Sequence, residues 1–150
     1  PIEMLSLANS ELLELHVNKY ATMVVGCLDF ETHQLHYSVA GHLPKPVLMT
    51  PGQSQYLAGE GMPVGLTPEA TYQLETIVLP GTFMLVLMSD GVLETIDEVD
   101  LIEREKTLLS RISGSLEKPG DLIRRLSLGD VTSDDLTDDI AGLFISRGGG

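Results

Sequence analysis

The sequence predicts an α+β fold with a largely antiparallel sheet. Three observations carry that prediction: helical apolar spacing at the start of the chain, strand-like runs clustered between residues 20 and 88, and helical spacing again only from residue 97. Strands grouped apart from helices favour antiparallel pairing, because parallel neighbours need a helix-length crossover between them. With 150 residues, 43% of them hydrophobic, the chain suffices for one domain without disulfide or metal staples. That domain is expected over residues 1–147, with Gly148-Gly149-Gly150 as a flexible tail.

Ile2, Leu5, Ala8, Leu12 and Leu15 step by three and four, so residues 2–16 read as an amphipathic helix. From Tyr20 to Leu28 the chain turns apolar and β-branched, and Leu35, Tyr37 and Val39 then alternate with His36, Ser38 and Ala40 at the strand period. Asp29 to Gln34 reads as the hairpin loop between these strands. Pro and Gly punctuate residues 44–68, leaving short strand-like pieces at Val47 to Met49 and Gln55 to Leu57. A further strong pair, Tyr72 to Leu79 and Phe83 to Met88, is joined by Pro80-Gly81, and the unbroken apolar run of the second member predicts a strand buried on both faces. Residues 97–112 and a segment opened by Pro119 have helical spacing. An acidic loop, Asp130 to Asp139, leads into a last strand, Ile140 to Ser146.

Nine Lys and Arg against 22 Asp and Glu give a formal charge of -13. Nucleic acid is excluded as a natural partner, because its phosphates are bound by neutralising them with cations. No apolar stretch approaches the roughly 20 residues of a membrane-spanning helix. The chain opens on Pro1-Ile2-Glu3, with neither Met nor a basic leader, which suggests a piece of a longer cytoplasmic protein. A lone cysteine, Cys27, excludes a disulfide framework and a Cys-based zinc site, and its apolar neighbours predict a core position.

Asp90 is the leading chemical candidate. A carboxylate that ends a buried strand and precedes Gly91 is held rigidly while the backbone turns, although Ser89-Asp90-Gly91 also suits a plain strand-ending turn. The cluster Asp130, Asp134, Asp135, Asp138 and Asp139 repels itself unless solvated or neutralised by a cation. It is no EF-hand, because Asp135 stands where Gly is needed and Ala141 where the bidentate Glu belongs. The segment before Asp90 lacks the first Gly of a nucleophile elbow, and no P-loop is present. His16, His33 and His36 suit surface or turn roles, and His42 suits hydrogen bonding to a loop better than metal binding.

Several of these segments together resemble a known family. They are Val24 to Asp29, Ala40-Gly41-His42-Leu43-Pro44, Gly61-Met62-Pro63-Val64-Gly65-Leu66, Leu79-Pro80-Gly81-Thr82, Met88-Ser89-Asp90-Gly91-Val92-Leu93-Glu94 and Asp138-Asp139-Ile140-Ala141. In order and spacing they resemble the bacterial metal-dependent Ser/Thr phosphatases of the SpoIIE and RsbU type in the PPM family, from about residue 1 to 147.

The resemblance implies an antiparallel β-sandwich flanked by helices, here without its N-terminal part. It also implies two Mn²⁺ or Mg²⁺ ions held by Asp side chains, about 3.5–4 Å apart, with a bridging water placed for in-line attack on a phosphoester. Asp90 is then a metal ligand and Gly91 its motif's backbone turn. Asp134-Asp135-Leu136-Thr137 and Asp138-Asp139-Ile140-Ala141 both match the family's second acidic pattern, but only the latter stands directly before an apolar strand, which favours Asp138 with Asp139 beside it. The family's Asp-Xaa-Xaa-Gly-His-Gly segment has no counterpart in residues 1–150, and the stretch from Gly91 to Asp138 is short for the family.

By resemblance, the substrate is a phosphorylated regulatory protein such as an anti-sigma-factor antagonist. An upstream receiver or sensor domain, as in RssB-like response regulators, is the expected covalent partner. The alternative implied by the absent segment is a catalytically impaired domain that binds proteins, for example in sigma-factor regulation; a purely structural acidic domain is a third reading. Exposed sheet edges would favour pairing between chains as a homodimer.

Overall fold

A computed structural model describes residues 1–113, 119–126 and 139–148. The order of elements is α1 (Ile2–Glu14), β1 (Met23–Asp29), β2 (Gln34–Ala40), β3 (Val47–Thr50), β4 (Gln53–Tyr56), β5 (Glu75–Val78), β6 (Phe83–Met88), α2 (Gly91–Glu94), α3 (Leu101–Ile112), α4 (Pro119–Arg125) and β7 (Gly142–Arg147). Among the described residues these strands pair antiparallel, as the separation of strands from helices predicts. The chain forms two compact units, Pro1–His42 with Ala58–Pro80, and Leu43–Leu57 with Gly81–Gly150. Among the described residues no helix is long and apolar enough to cross a membrane.

In the first unit the sheet order is β1-β2-β5. The three-and-four spacing of α1 buries Leu5 completely, with Ile2, Ala8 and Leu12 around it, against Met23, Val25, Ala40, Val64 and Tyr72. The helix stops at Glu14 rather than at residue 16 because His16 and Asn18 adopt left-handed backbone conformations, which a right-handed helix cannot continue through. Asn9, buried on the inner face, donates from Nδ2 to the Thr67 carbonyl at 3.1 Å and accepts from the Gly65 N–H at 2.7 Å. One side chain thereby fixes the loop of residues 61–67 to the helix.

The motif glycines in this unit are positions of close approach. Gly41 has φ +65°, and a Cβ there would lie 2.5 Å from Pro63 Cγ; Gly65 has φ +81°, and its Cβ would lie 2.5 Å from Leu12 Cδ2. A side chain at either position is excluded twice, by the backbone and by the neighbour. Cys27 departs from expectation: among the described residues β1 is an edge strand, its midpoint at Gly26 and Cys27 is exposed, and the thiol is not core filler. Apolar neighbours in sequence do not ensure burial when a strand has a partner on one side only.

The second unit contains the four-stranded sheet β4-β3-β6-β7. β6 fulfils the prediction of burial on both faces: five of its six residues, Phe83, Met84, Leu85, Val86 and Met88, are buried. One face carries Met84, Val86 and Met88, which meet Val47 and Met49 of β3 and a helical layer formed by Val92, Leu93, Ile96, Leu108, Ile112, Leu122 and Leu126. Tyr56 of β4 donates its hydroxyl to the Glu105 carbonyl at 2.7 Å and so ties α3 to the sheet. Burial, with the Glu105 charge secondary, holds the Tyr56 phenol well above its ordinary pKa.

The expected pair of strands across Pro80-Gly81 is not a hairpin. β5 pairs with β2, whereas β6 pairs with β3 and β7. The β5 end is committed by a bond from the Leu79 N–H to the His33 carbonyl at 2.8 Å, leaving Pro80-Gly81 as a crossing between sheets. Residues 97–100 precede α3 instead of joining it, because the Asp100 side chain caps the helix by accepting from Ile102 and Glu103 N–H groups.

Candidate functional site

The candidate site lies where β6 ends. The strand's buried residues run to Met88, and the chain then turns through Ser89 and Asp90 into α2. Val92 and Leu93 are buried in the second unit's core, so the one-turn helix is anchored from inside and Asp90 is held at its outer end. Asp90 is exposed and occupies the N-cap position without using its carboxylate for a cap hydrogen bond. Capping is the ordinary reason for an Asp at a helix start, and here that role does not consume the side chain. Gly91 is the first residue of α2 and is buried.

Ser89 joins this turn to the other predicted segment. Its Oγ donates to the Asp139 carbonyl at 3.0 Å and accepts from the Ala141 N–H at 2.8 Å, while its own N–H donates to the Ala141 carbonyl at 2.9 Å. These bonds continue the β6–β7 ladder, in which Met88 faces Gly142 and Phe83 faces Arg147. The turn bearing Asp90 and the segment bearing Asp139 therefore meet at one end of the four-stranded sheet. Asp139 is exposed there. Asp138, the favoured ligand of the pair, lies outside the described residues, as do Asp130, Asp134 and Asp135.

Sequence reasoning missed the part played by Ser89. The usable signal is a hydroxyl residue directly after the last strand position and before Asp-Gly, where a side chain can bond the neighbouring segment as the chain leaves the sheet. His42, by contrast, follows the Gly41 turn at the end of β2, and the Gly41 N–H bonds the Gly61 carbonyl at 2.7 Å, so this motif closes a loop.

Asp90 and Asp139 present oxygen donors only, the chemistry that Mg²⁺ and Mn²⁺ accept. Among the described residues no three His, Cys, Asp or Glu side chains converge on a metal-sized site. The donors present thus fit part of a hard-cation site in kind, and fall short of it in number.

The family model for stage II sporulation protein E (SpoIIE) matches residues 1–148. The chain belongs to the SpoIIE family. The RsbU and RsbW domains of Rv1364c from Mycobacterium tuberculosis share its fold at a TM-score of 0.71 and 24% identity, over 97% of this chain and 42% of that one. The Mn-presoaked phosphatase domain of SpoIIE from Bacillus subtilis gives 0.70 and 17%, over 97% of this chain and 65% of that one. Protein IcfG of Synechocystis sp. is 26% identical over 132 residues, which are 85% of this chain and 21% of IcfG. The chain thus spans about a fifth of that relative's length. The SpoIIE-type fold is the α+β architecture with antiparallel sheets that the sequence predicts.

Proposed function

We propose that this SpoIIE-family domain is a Mg²⁺- or Mn²⁺-dependent protein serine/threonine phosphatase domain of a bacterial signalling regulator. The observation that carries the reading is the Ser89 bridge, which sets an uncommitted Asp90 carboxylate beside the Asp139 segment at one sheet end. Asp90, Asp138 and Asp139 are the residues that would hold divalent ions. When bound, such ions supply positive charge that stabilises a transferring phosphoryl group.

The chain's own residues supply position. β6 and the buried start of α2 hold Asp90 at a rigid strand end, Gly91 gives the turn, and Ser89 fixes the spacing between the two acidic segments. A site assembled on strand ends in this way keeps its donors aligned without reorganising at the moment of reaction. The substrate class proposed is a phosphorylated regulatory protein, with a receiver or sensor domain as the covalent input.

The Asp-Xaa-Xaa-Gly-His-Gly segment of the family does not occur in residues 1–150. The 150-residue chain alone is therefore expected to hold divalent metal weakly and to hydrolyse phosphoesters poorly. Calorimetric titration with Mn²⁺ tests this: submicromolar binding with robust turnover of a phosphopeptide would show that the carboxylates of residues 1–150 suffice without that segment.

A further inference from the structure

The segment entering α3 has a property that neither the metal chemistry nor the core requires. Val99 is fully exposed, Ile102 is 61% exposed and Leu101 is 44% exposed, three large apolar side chains within four positions. Scattered exposed apolar residues are ordinary on any protein. These are adjacent, and they are held in place. Asp100 between them accepts from the Ile102 N–H at 2.8 Å and the Glu103 N–H at 3.3 Å, and Arg104 Nε donates to the Glu98 carbonyl at 2.5 Å. Ile96 on one side and Leu108 on the other are buried in the core, so the segment is anchored at both ends.

The setting of these side chains is acidic. Residues 94–106 carry six carboxylates, at Glu94, Asp97, Glu98, Asp100, Glu103 and Glu105, against Arg104 and Lys106. Lys106 is already paired with Glu103 at 2.6 Å. Three exposed apolar side chains close together in the chain, interleaved with carboxylates, match one kind of ligand, a segment with large apolar side chains flanked by Lys and Arg. The anchored backbone of this surface lowers the ordering cost of binding, and its charge raises the rate of encounter with a basic partner. The same acidic surface on a second copy is a poor electrostatic match for it, and so is the anionic surface of a membrane.

We propose that Val99, Leu101 and Ile102, with the neighbouring carboxylates Asp97 and Glu98, form a docking surface for a basic, apolar segment of a partner protein. The surface goes beyond the phosphatase reading and needs no catalysis. It lies in the same compact unit as Asp90, a few residues further along the chain.

Fluorescence anisotropy with a labelled synthetic peptide of alternating Lys and Leu pairs, titrated with the 150-residue chain, tests the proposal. The triple variant Val99→Ser, Leu101→Ser, Ile102→Ser leaves every charge in place and is expected to bind about tenfold more weakly, the scale of losing one good apolar anchor. The pair Asp97→Asn, Glu98→Gln is expected to weaken binding, and the pair Glu11→Gln, Glu14→Gln on α1, which removes the same charge elsewhere, is expected to leave it unchanged. Circular dichroism confirms that each variant is folded. Absence of peptide binding by the unaltered chain would overturn the proposal, as would equal affinity for the triple Ser variant or equal weakening by the two charge pairs, since binding would then reflect bulk charge.

Discussion

The Ser89 hydroxyl donates to the Asp139 carbonyl at 3.0 Å, and Ser89 Oγ accepts from the Ala141 N–H at 2.8 Å. One small side chain thus holds together two acidic segments that are about fifty residues apart in sequence. Ser89→Ala removes both bonds while leaving the β6–β7 ladder, and is expected to lower stability by about 1–2 kcal/mol. Urea denaturation measures that loss. Ser89→Ala is also expected to weaken Mn²⁺ binding in the full-length protein, although no proposed ligand has been changed.

Asn9 tests the attachment of the motif loop in the first unit. Asn9→Ala leaves the Gly65 N–H and the Thr67 carbonyl without their partner on α1, and is expected to destabilise by about 1–3 kcal/mol. Asn9→Asp retains an acceptor for Gly65 but sets a carboxylate oxygen against the Thr67 carbonyl, so it should not restore stability. Thermal unfolding of the two variants beside the unaltered chain separates these effects.

Leu108 is wholly buried between α3 and the second unit's sheet layer. Leu108→Ala leaves a cavity on that side and is expected to cost about 2–5 kcal/mol in chemical denaturation. The exposed Ile102 on the same helix gives a contrast: Ile102→Ala is expected to change stability by no more than about 0.5 kcal/mol.

The Tyr56 phenol is raised by burial first and by the Glu105 charge second. A raised folded value means that the native state keeps its proton where the unfolded chain, with a phenol near about 10, has begun to lose it. The stabilisation is therefore fully present below about pH 10 and is lost as pH rises further toward the folded value. Denaturation across pH 8–11 should show this loss, and Tyr56→Phe should flatten part of it. Phe also removes the bond to the Glu105 carbonyl, so the variant begins less stable at neutral pH.

What the sequence made legible follows the range of the interactions concerned. The α1 spacing, the alternation of β2 and the unbroken β6 run are local patterns, and each appears as the corresponding element. The exposure of Cys27 is not legible from its apolar neighbours, because it depends on where β1 stands in the sheet. The joining of β5 to β2 and of β6 to β3 and β7 was hidden for the same reason, since a Pro-Gly link suits a hairpin and a crossing equally. The short α2 spans four residues, too few to show a period. At the candidate site, Asp90 and Gly91 could be named from the strand-ending pattern, whereas the Ser89 bridge to Asp139 joins residues distant in sequence and required coordinates. The preference for Asp138 over Asp139 falls outside the described residues and stands as a proposal.

The central claim is that the sheet end bearing Asp90 is a divalent-metal phosphatase centre. Its most direct test is hydrolysis of a phosphoserine or phosphothreonine protein substrate by the full-length protein, with and without Mn²⁺, for the unaltered sequence and for Asp90→Asn and Asp138→Asn. The account predicts turnover that requires Mn²⁺ and is abolished by either substitution. Mn²⁺-independent turnover, or turnover unchanged in Asp90→Asn, would contradict it.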